Sequence, residues 1–134
     1  MKPCDSSCGK GIKVVGPKTT VNKKAGYVVS QYISNPHLIN GYKYDLRIYV
    51  AVTSFEPLKI FLFKEGLVRF ATQKYTTNPK SLDKRFIHLT NYSVNKKADD
   101  YVKNNGGEDD EGEDASKWSL LQLSRWMTNN GIDY

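Results

Sequence analysis

"YKYDLRIYVAV", residues 42–52, alternates regularly enough to read as one β-strand. Tyr42, Tyr44, Leu46, Ile48, Val50 and Val52 share one face, which predicts that this face packs into a core. The other face carries Lys43, Asp45 and Arg47, then turns apolar at Tyr49 and Ala51. An ordinary solvent face stays polar to the end of its strand, so the charges need a reason. Neighbours on one face lie about 7 Å apart. Two readings fit such a line. It is a charge ladder on an exposed sheet, or it is the wall of a cleft. In a cleft, Lys and Arg attract phosphates or carboxylates, and Asp accepts from sugar hydroxyls or amines.

"LKIFLF" (58–63) and "LVRFAT" (67–72) follow across the turns "TSFEP" and "KEG". Together with the opening stretch they predict a three-stranded antiparallel meander, with Gly66 at positive φ in its last turn. Arg69, between Val68 and Phe70, either snorkels to the surface or faces the same cleft. Upstream, "GYVVSQYI" (26–33) reads as a strand and "SNPHLINGY" (34–42) as a loop punctuated by Pro36 and Gly41. "CGKGIKVVG" (8–16) sets glycines around Lys10 and then opens a short apolar strand. The loop "SSCGKG" offers backbone N–H groups and a lysine, the ingredients of a phosphate cradle, but lacks the GxxxxGK[ST] spacing.

Downstream, "RFIHLTNYSVNKK" (85–97) has too little periodicity to choose a state, and Thr90 and Asn91 suit a turn. Residues 98–116 include "NNGGEDDEGED", whose composition cannot bury a core and predicts a mobile acidic loop. "SKWSLLQLSRWMTNNG" (116–131) is the best helix. Leu120, Leu123, Trp126 and Met127 fall on one face, Ser116 or Ser119 caps it, and Gly131 ends it. A chain that stops just after such a helix reads as an excerpt of a longer one.

Its 134 residues suit one small domain or a piece of a larger one, and 39% hydrophobic content with nine Tyr argues for a packed core. No apolar run approaches the ~20 residues of a membrane span, and the start lacks a secretory h-region. Membrane insertion is therefore not expected. Cys4 and Cys8 make no metal-ligand pattern with the distant His37 and His88, so free thiols in a reducing compartment are expected. Asn91-Tyr92-Ser93 is then a chance sequon. Net charge is +6, but residues 108–114 hold six acidic side chains, which leaves 20 basic against 8 acidic residues elsewhere. A basic body fits a polyanionic partner or simply a well-solvated surface. No nucleic-acid motif accompanies it, so nucleic acid is not expected.

"KPCDSSCGKGI", "QYISNPHLINGYKYDLRIYVAVTSFEPLKIFLFKEGLVRFAT" and "HLTNYSVNKK", in this order and spacing, resemble the tubulin–tyrosine ligase-like family. The resemblance covers essentially the whole chain. "YSVNKK" directly after "HLTN" is most similar to the glutamate-adding (polyglutamylase) branch. It implies an α/β (α+β) fold, an ATP-grasp-type antiparallel sheet with flanking helices. Residues 1–134 would be an incomplete fragment, the central part of the catalytic domain.

The resemblance also implies roles. Lys43 and Asp45 match contacts to the adenine and ribose of ATP, and Arg47 one close to the phosphates. Gln31, Tyr32 and Ile33 match the hinge-like segment beside the adenine. Lys2 matches the phosphate lysine of a "KP" motif, with Cys8, Gly9, Lys10 and Gly11 as the flexible loop above. Thr90 and Asn91 match further nucleotide contacts. Arg69, Tyr92, Ser93 and Lys117 match positions holding free L-glutamate, and Arg47 and Arg69 are the catalytic candidates. The family usually carries a bulkier polar or basic residue where Cys8 stands.

The implied activity is ATP-dependent addition of glutamate to glutamate side chains in the acidic C-terminal tails of tubulin, through an acylphosphate. Mg2+ is implied too, its acidic ligands expected beyond Tyr134, so the isolated 134 residues are expected to be inactive. The implied location is cytoplasmic, on the microtubule cytoskeleton, cilium or basal body included. The alternatives are a non-catalytic microtubule- or nucleotide-binding module, or a ligase for glycine or tyrosine.

Overall fold

Residues 42–52 fold as two strands, not one: β4 (Tyr42–Arg47) and β5 (Val50–Phe55), interrupted at Ile48 and Tyr49. The alternating pattern of the sequence runs through the break, but the hydrogen-bond partners change there. β4 lies between β3 (Leu38–Ile39) and β7 (Leu67–Phe70), whereas β5 pairs with β6 (Leu58–Leu62) in a separate two-stranded sheet. Periodicity records which way side chains point and is blind to which strand lies alongside.

The computed structural model describes residues 1–22, 26–103 and 115–133. The remaining elements are β1 (Lys2–Pro3), β2 (Tyr27–Val28), a 3₁₀ turn (Pro79–Ser81), α1 (Arg85–His88), α2 (Tyr92–Asn95), β8 (Lys117–Ser119) and α3 (Leu120–Asn129). The mixed α/β architecture with antiparallel sheets agrees with the expected class. Two compact units divide the chain, Met1–Tyr44 with Phe70–Tyr101, and Asp45–Arg69 with Val102–Tyr134. Of the expected acidic loop, residues 104–114 lie outside the described residues. The flanks on either side are tied: Val102 N–H donates to Ser116 Oγ (3.1 Å) and Ser116 N–H to the Val102 carbonyl (3.2 Å). Among the described residues no helix is long and apolar enough to cross a membrane.

In the first unit β1 and β2 pair antiparallel, Lys2 opposite Val28 and Pro3 opposite Tyr27. The expected strand 26–33 is thus only two residues long, and residues 12–15 form no strand. Conversely, the expected loop 34–42 contains a strand, because Asn40 (φ 51°) and Gly41 (φ 82°) make a two-residue turn with positive φ at both positions. That turn sets Leu38 opposite Lys43 and Ile39 opposite Tyr42. Ala71 N–H then donates to the Lys43 carbonyl and Tyr75 N–H to the Gly41 carbonyl, both at 2.9 Å. Ile39, Phe70, Ala71, Ile87 and Val94 form the buried apolar set. Asn95, 1% exposed, sits among them with its amide fully used. Its Oδ1 accepts from Thr72 N–H and Oγ–H (3.0 Å each), and its Nδ2 donates to the Leu89 (2.7 Å) and Asn91 (3.1 Å) carbonyls.

In the second unit the hairpin β5–β6 turns at Glu56–Pro57, with a register shift between Val52 and Ser54. Its side chains stay exposed: Val50 is 56% accessible, Ile60 56% and Phe55 83%. The expected core face of residues 42–52 is accordingly not a core, since Leu46, Ile48 and Val52 are exposed as well. The meander is also corrected. β7 does not pair with β6; it pairs with β8, Leu67 opposite Ser119, Val68 opposite Trp118 and Arg69 opposite Lys117. Recruiting Lys117–Ser119 into a strand shortens the predicted helix to Leu120–Asn129. Ser119 caps it in a reciprocal box with Gln122. At its other end Gly131 N–H donates to the Thr128 carbonyl and Ile132 N–H to that of Met127, a Schellman stop. Leu123 and Met127 are buried in this unit, as are Val68 and Trp118.

Gly66 is glycine for a different reason than the sequence suggested. Its φ is not positive; a Cβ there would lie 2.5 Å from the Arg47 carbonyl oxygen and 3.1 Å from Leu120 Cδ1. Backbone cannot swing aside as a side chain can. Gly66→Ala is therefore expected to cost about 1–3 kcal/mol, read as a lowered denaturation midpoint at unchanged m-value. An unshifted midpoint would show that β4 and α3 tolerate the added methyl.

Candidate functional site

Within the first unit the glycine loop is latched to the two short helices. Gly9 is buried at φ 75°, and a Cβ there would meet Asn91 Oδ1 at 2.7 Å. A side chain is excluded both by backbone conformation and by Asn91. Arg85 Nη2 donates to the Gly9 carbonyl (2.9 Å), and Ser93 Oγ to the Cys8 carbonyl (2.6 Å). Folding thus brings Cys8, Gly9, Asn91 and Ser93 together across more than eighty residues. Ser7, Cys8 and Lys10 share a cavity of about 800 Å³ with Asp83, Lys84, Arg85, Ser93 and Lys97, a lining rich in cations. Thr90 is buried nearby in sequence, whereas Lys2, Gln31 and Ile33 are exposed. Tyr92 stacks edge-on to Tyr101 with the Lys96 ammonium 5.3 Å over its ring.

A second cluster in this unit contains a residue that the sequence did not single out. Lys43 Nζ lies 4.6 Å from the Tyr32 ring centroid and donates to Tyr32 Oη at 3.2 Å. Tyr32 Oη is 2.9 Å from His88 Nδ1, and His88 Nε2 is 2.9 Å from the Ser81 carbonyl. A carbonyl only accepts, so Nε2 carries the proton. Burial lowers the His88 pKa, and the Lys43 charge lowers it further. Burial, with Tyr75 nearby, raises that of Tyr32. The only hint in sequence is a histidine between two apolar residues, Ile87 and Leu89.

In the second unit Asp45 and Arg69 form a bidentate pair: Nε donates to Oδ1 (2.9 Å) and Nη2 to Oδ2 (2.5 Å). This hydrogen-bonded carboxylate raises the Arg69 pKa. Lys117 stands directly across the ladder from Arg69. Arg47 lies over the Tyr49 ring, 5.7 Å from its centroid. Two candidates expected to hold different ligands, Asp45 and Arg69, therefore hold each other, and two expected to share one ligand, Arg69 and Lys117, are cross-strand neighbours. Among the described residues no group of three His, Cys, Asp or Glu side chains is placed to hold a metal ion.

A family model described as tubulin-tyrosine ligase family matches residues 1–133, so the chain belongs to that family. Among curated relatives, a human protein named tubulin polyglutamylase TTLL5 is 44% identical over 134 residues, covering 99% of this chain and 10% of its own length. The mouse tubulin monoglutamylase TTLL4 is 45% identical over 133 residues, with 99% and 11% covered. Mouse tubulin polyglutamylase TTLL7 is 43% identical over 134 residues, with 99% and 14% covered. The chain thus spans only about a tenth of the length of these relatives.

The His88 environment has a consequence for stability. Its folded pKa lies below the ordinary 6.5, so between the two values the unfolded chain binds more protons than the folded one. The neutral ring's contribution is complete above pH 6.5 and is lost as pH falls toward the folded value. Thermal melting across pH 7.5 to 5 should show that loss, and His88→Phe should flatten it. An equal acid slope in both proteins would assign the effect to other groups.

Proposed function

We propose that the protein is an ATP-dependent ligase that adds glutamate to glutamate side chains of tubulin's acidic tails. The reading is supported by family membership and by the names of relatives that are tubulin polyglutamylases or monoglutamylases. The observation that carries it is the pairing of Arg69 with Lys117 across β7 and β8. Two cationic side chains side by side on a ladder suit an anionic ligand. Asp45 uses one edge of the Arg69 guanidinium and leaves its other N–H groups for a ligand carboxylate. Free glutamate brings a side-chain carboxylate that glycine and tyrosine lack, so paired cations favour it over them.

ATP, when bound, supplies the phosphoryl group that turns the acceptor carboxylate into an acylphosphate open to attack by the amine of glutamate. The chain's own residues suit that nucleotide. Gly9 brings backbone close against Asn91, Lys10 and Lys84 supply positive charge at the cavity, and Lys43 is braced on Tyr32. Lys43 and Asp45 take the base and ribose in this reading, with Gln31 and Ile33 beside the base and Lys2, Arg47 and Thr90 as further contacts. Tyr92 and Ser93 are assigned to the amino acid by the family resemblance alone. Among the described residues no group of three His, Cys, Asp or Glu side chains is placed to hold Mg2+. The substrate implies work on microtubules, in the cytoplasm and at cilia or basal bodies.

Lys117→Ala in the full-length enzyme is expected to lower kcat/KM for glutamate by a factor equivalent to about 2–5 kcal/mol. Its KM for ATP should stay within error. Arg69→Ala should do the same to glutamate while also releasing Asp45. A rise in ATP KM with glutamate KM unmoved would reverse the assigned roles.

A further inference from the structure

We propose that His88 is a positioning residue of the nucleotide site, fixing the Lys43 ammonium through the hydroxyl of Tyr32. The inference rests on the reading of Lys43 as a contact to the base of ATP. The argument is one of hydrogen-bond direction. Ser81 offers His88 Nε2 a carbonyl at 2.9 Å, which holds the ring proton on that nitrogen. Nδ1 then carries a lone pair, and at 2.9 Å it accepts a hydrogen bond from Tyr32 Oη–H. With its own proton committed, Tyr32 Oη turns lone-pair density toward Lys43 and accepts from Nζ at 3.2 Å. The ammonium is held at the ring edge and over the ring face at once, 4.6 Å from the centroid.

The Ser81 carbonyl only accepts and the Lys43 ammonium only donates, so with Tyr32 Oη–H on Nδ1 a change at His88 reaches Lys43 without touching it; Tyr75 is a second hydrogen-bonding neighbour of the Tyr32 hydroxyl. Were the imidazole to gain a proton, Nδ1 would become a donor, and Tyr32 Oη would face donors on both sides. The groups around His88 are Tyr32 and Tyr75, whose ring lies edge-on at 5.8 Å, Lys43 beyond Tyr32, and Lys13, Asp83 and Arg85 around the adjoining cavity. The ring is 3% exposed and lies among rings and backbone, so it acts on a ligand through Tyr32 and not by contact.

The test uses the full-length enzyme and measures ATP binding by calorimetry, beside glutamate KM and melting temperature. His88→Phe keeps a ring but loses both nitrogens, and ATP affinity should fall about tenfold, the worth of one hydrogen bond to a charged group. His88→Asn restores an acceptor for Tyr32 and should recover most of that loss. Tyr32→Phe should weaken ATP to the same extent, and adding His88→Phe to it should change little more. The wild-type affinity should weaken on acidification and the His88→Asn affinity should not. Glutamate KM should hold throughout. Additive losses in the double variant, or equal affinities for His88→Phe and His88→Asn, would overturn the positioning role. Lys43→Ala separates this from the underlying reading: if it leaves ATP affinity intact, the nucleotide assignment itself fails. If it weakens ATP while folded His88→Phe and Tyr32→Phe bind normally, the positioning role alone fails.

Discussion

The arrangement of the first unit depends on one buried amide. Asn95 has two acceptor lone pairs and two donor hydrogens, and all four are used: by Thr72 twice, and by the carbonyls of Leu89 and Asn91. A buried amide left half-satisfied costs more than an apolar side chain, so this residue accepts one geometry only. That geometry pins the segment leaving β7 against the bend between two helices of four residues each. Helices so short have no intrinsic stability and need such tertiary ties. The bend carries Thr90 and Asn91, and Asn91 in turn shapes the space that only Gly9 fills.

From that anchor the candidate residues of this unit follow by short steps. Arg85 and Ser93, one from each helix, bind successive carbonyls of the glycine loop. His88, on the same helix as Arg85, reaches the other way to Tyr32 and thence to Lys43. A single pair of helical turns thus orients both a phosphate-type loop and a lysine far from it in sequence. The second unit uses a different device. There Asp45 and Arg69 neutralise each other in a fork, and the ladder register sets Lys117 beside them. Such partly exposed pairs contribute little stability, and their use is to fix where the guanidinium points.

Much of this was legible from local sequence. Glycines around Lys10 announced a tight loop, Ser119 was one of two candidate caps for the helix start, and Gly131 announced its stop. Each signal is carried by residues within a few positions of one another. The mistakes came where partners are distant. Ile48 and Tyr49 continue an alternating pattern through a strand break, Lys117–Ser119 read as the first turn of a helix, and Gly66 suggested positive φ when its real constraint is the Arg47 carbonyl.

By itself the sequence determined the mixed α/β character, the loop and cap positions and, through its long motifs, the family. These rest on local propensities and on residue order, both of which are written along the chain. Only the tertiary structure decided that Asp45 takes Arg69, that Arg69 faces Lys117, and that His88 stands behind Tyr32 and Lys43. The Asp45–Arg69, Arg69–Lys117 and Tyr32–His88 pairings join residues 24, 48 and 56 positions apart, and they follow from strand register and from the need to satisfy buried polar groups. Register and burial are properties of the folded chain, and no window of sequence contains both partners.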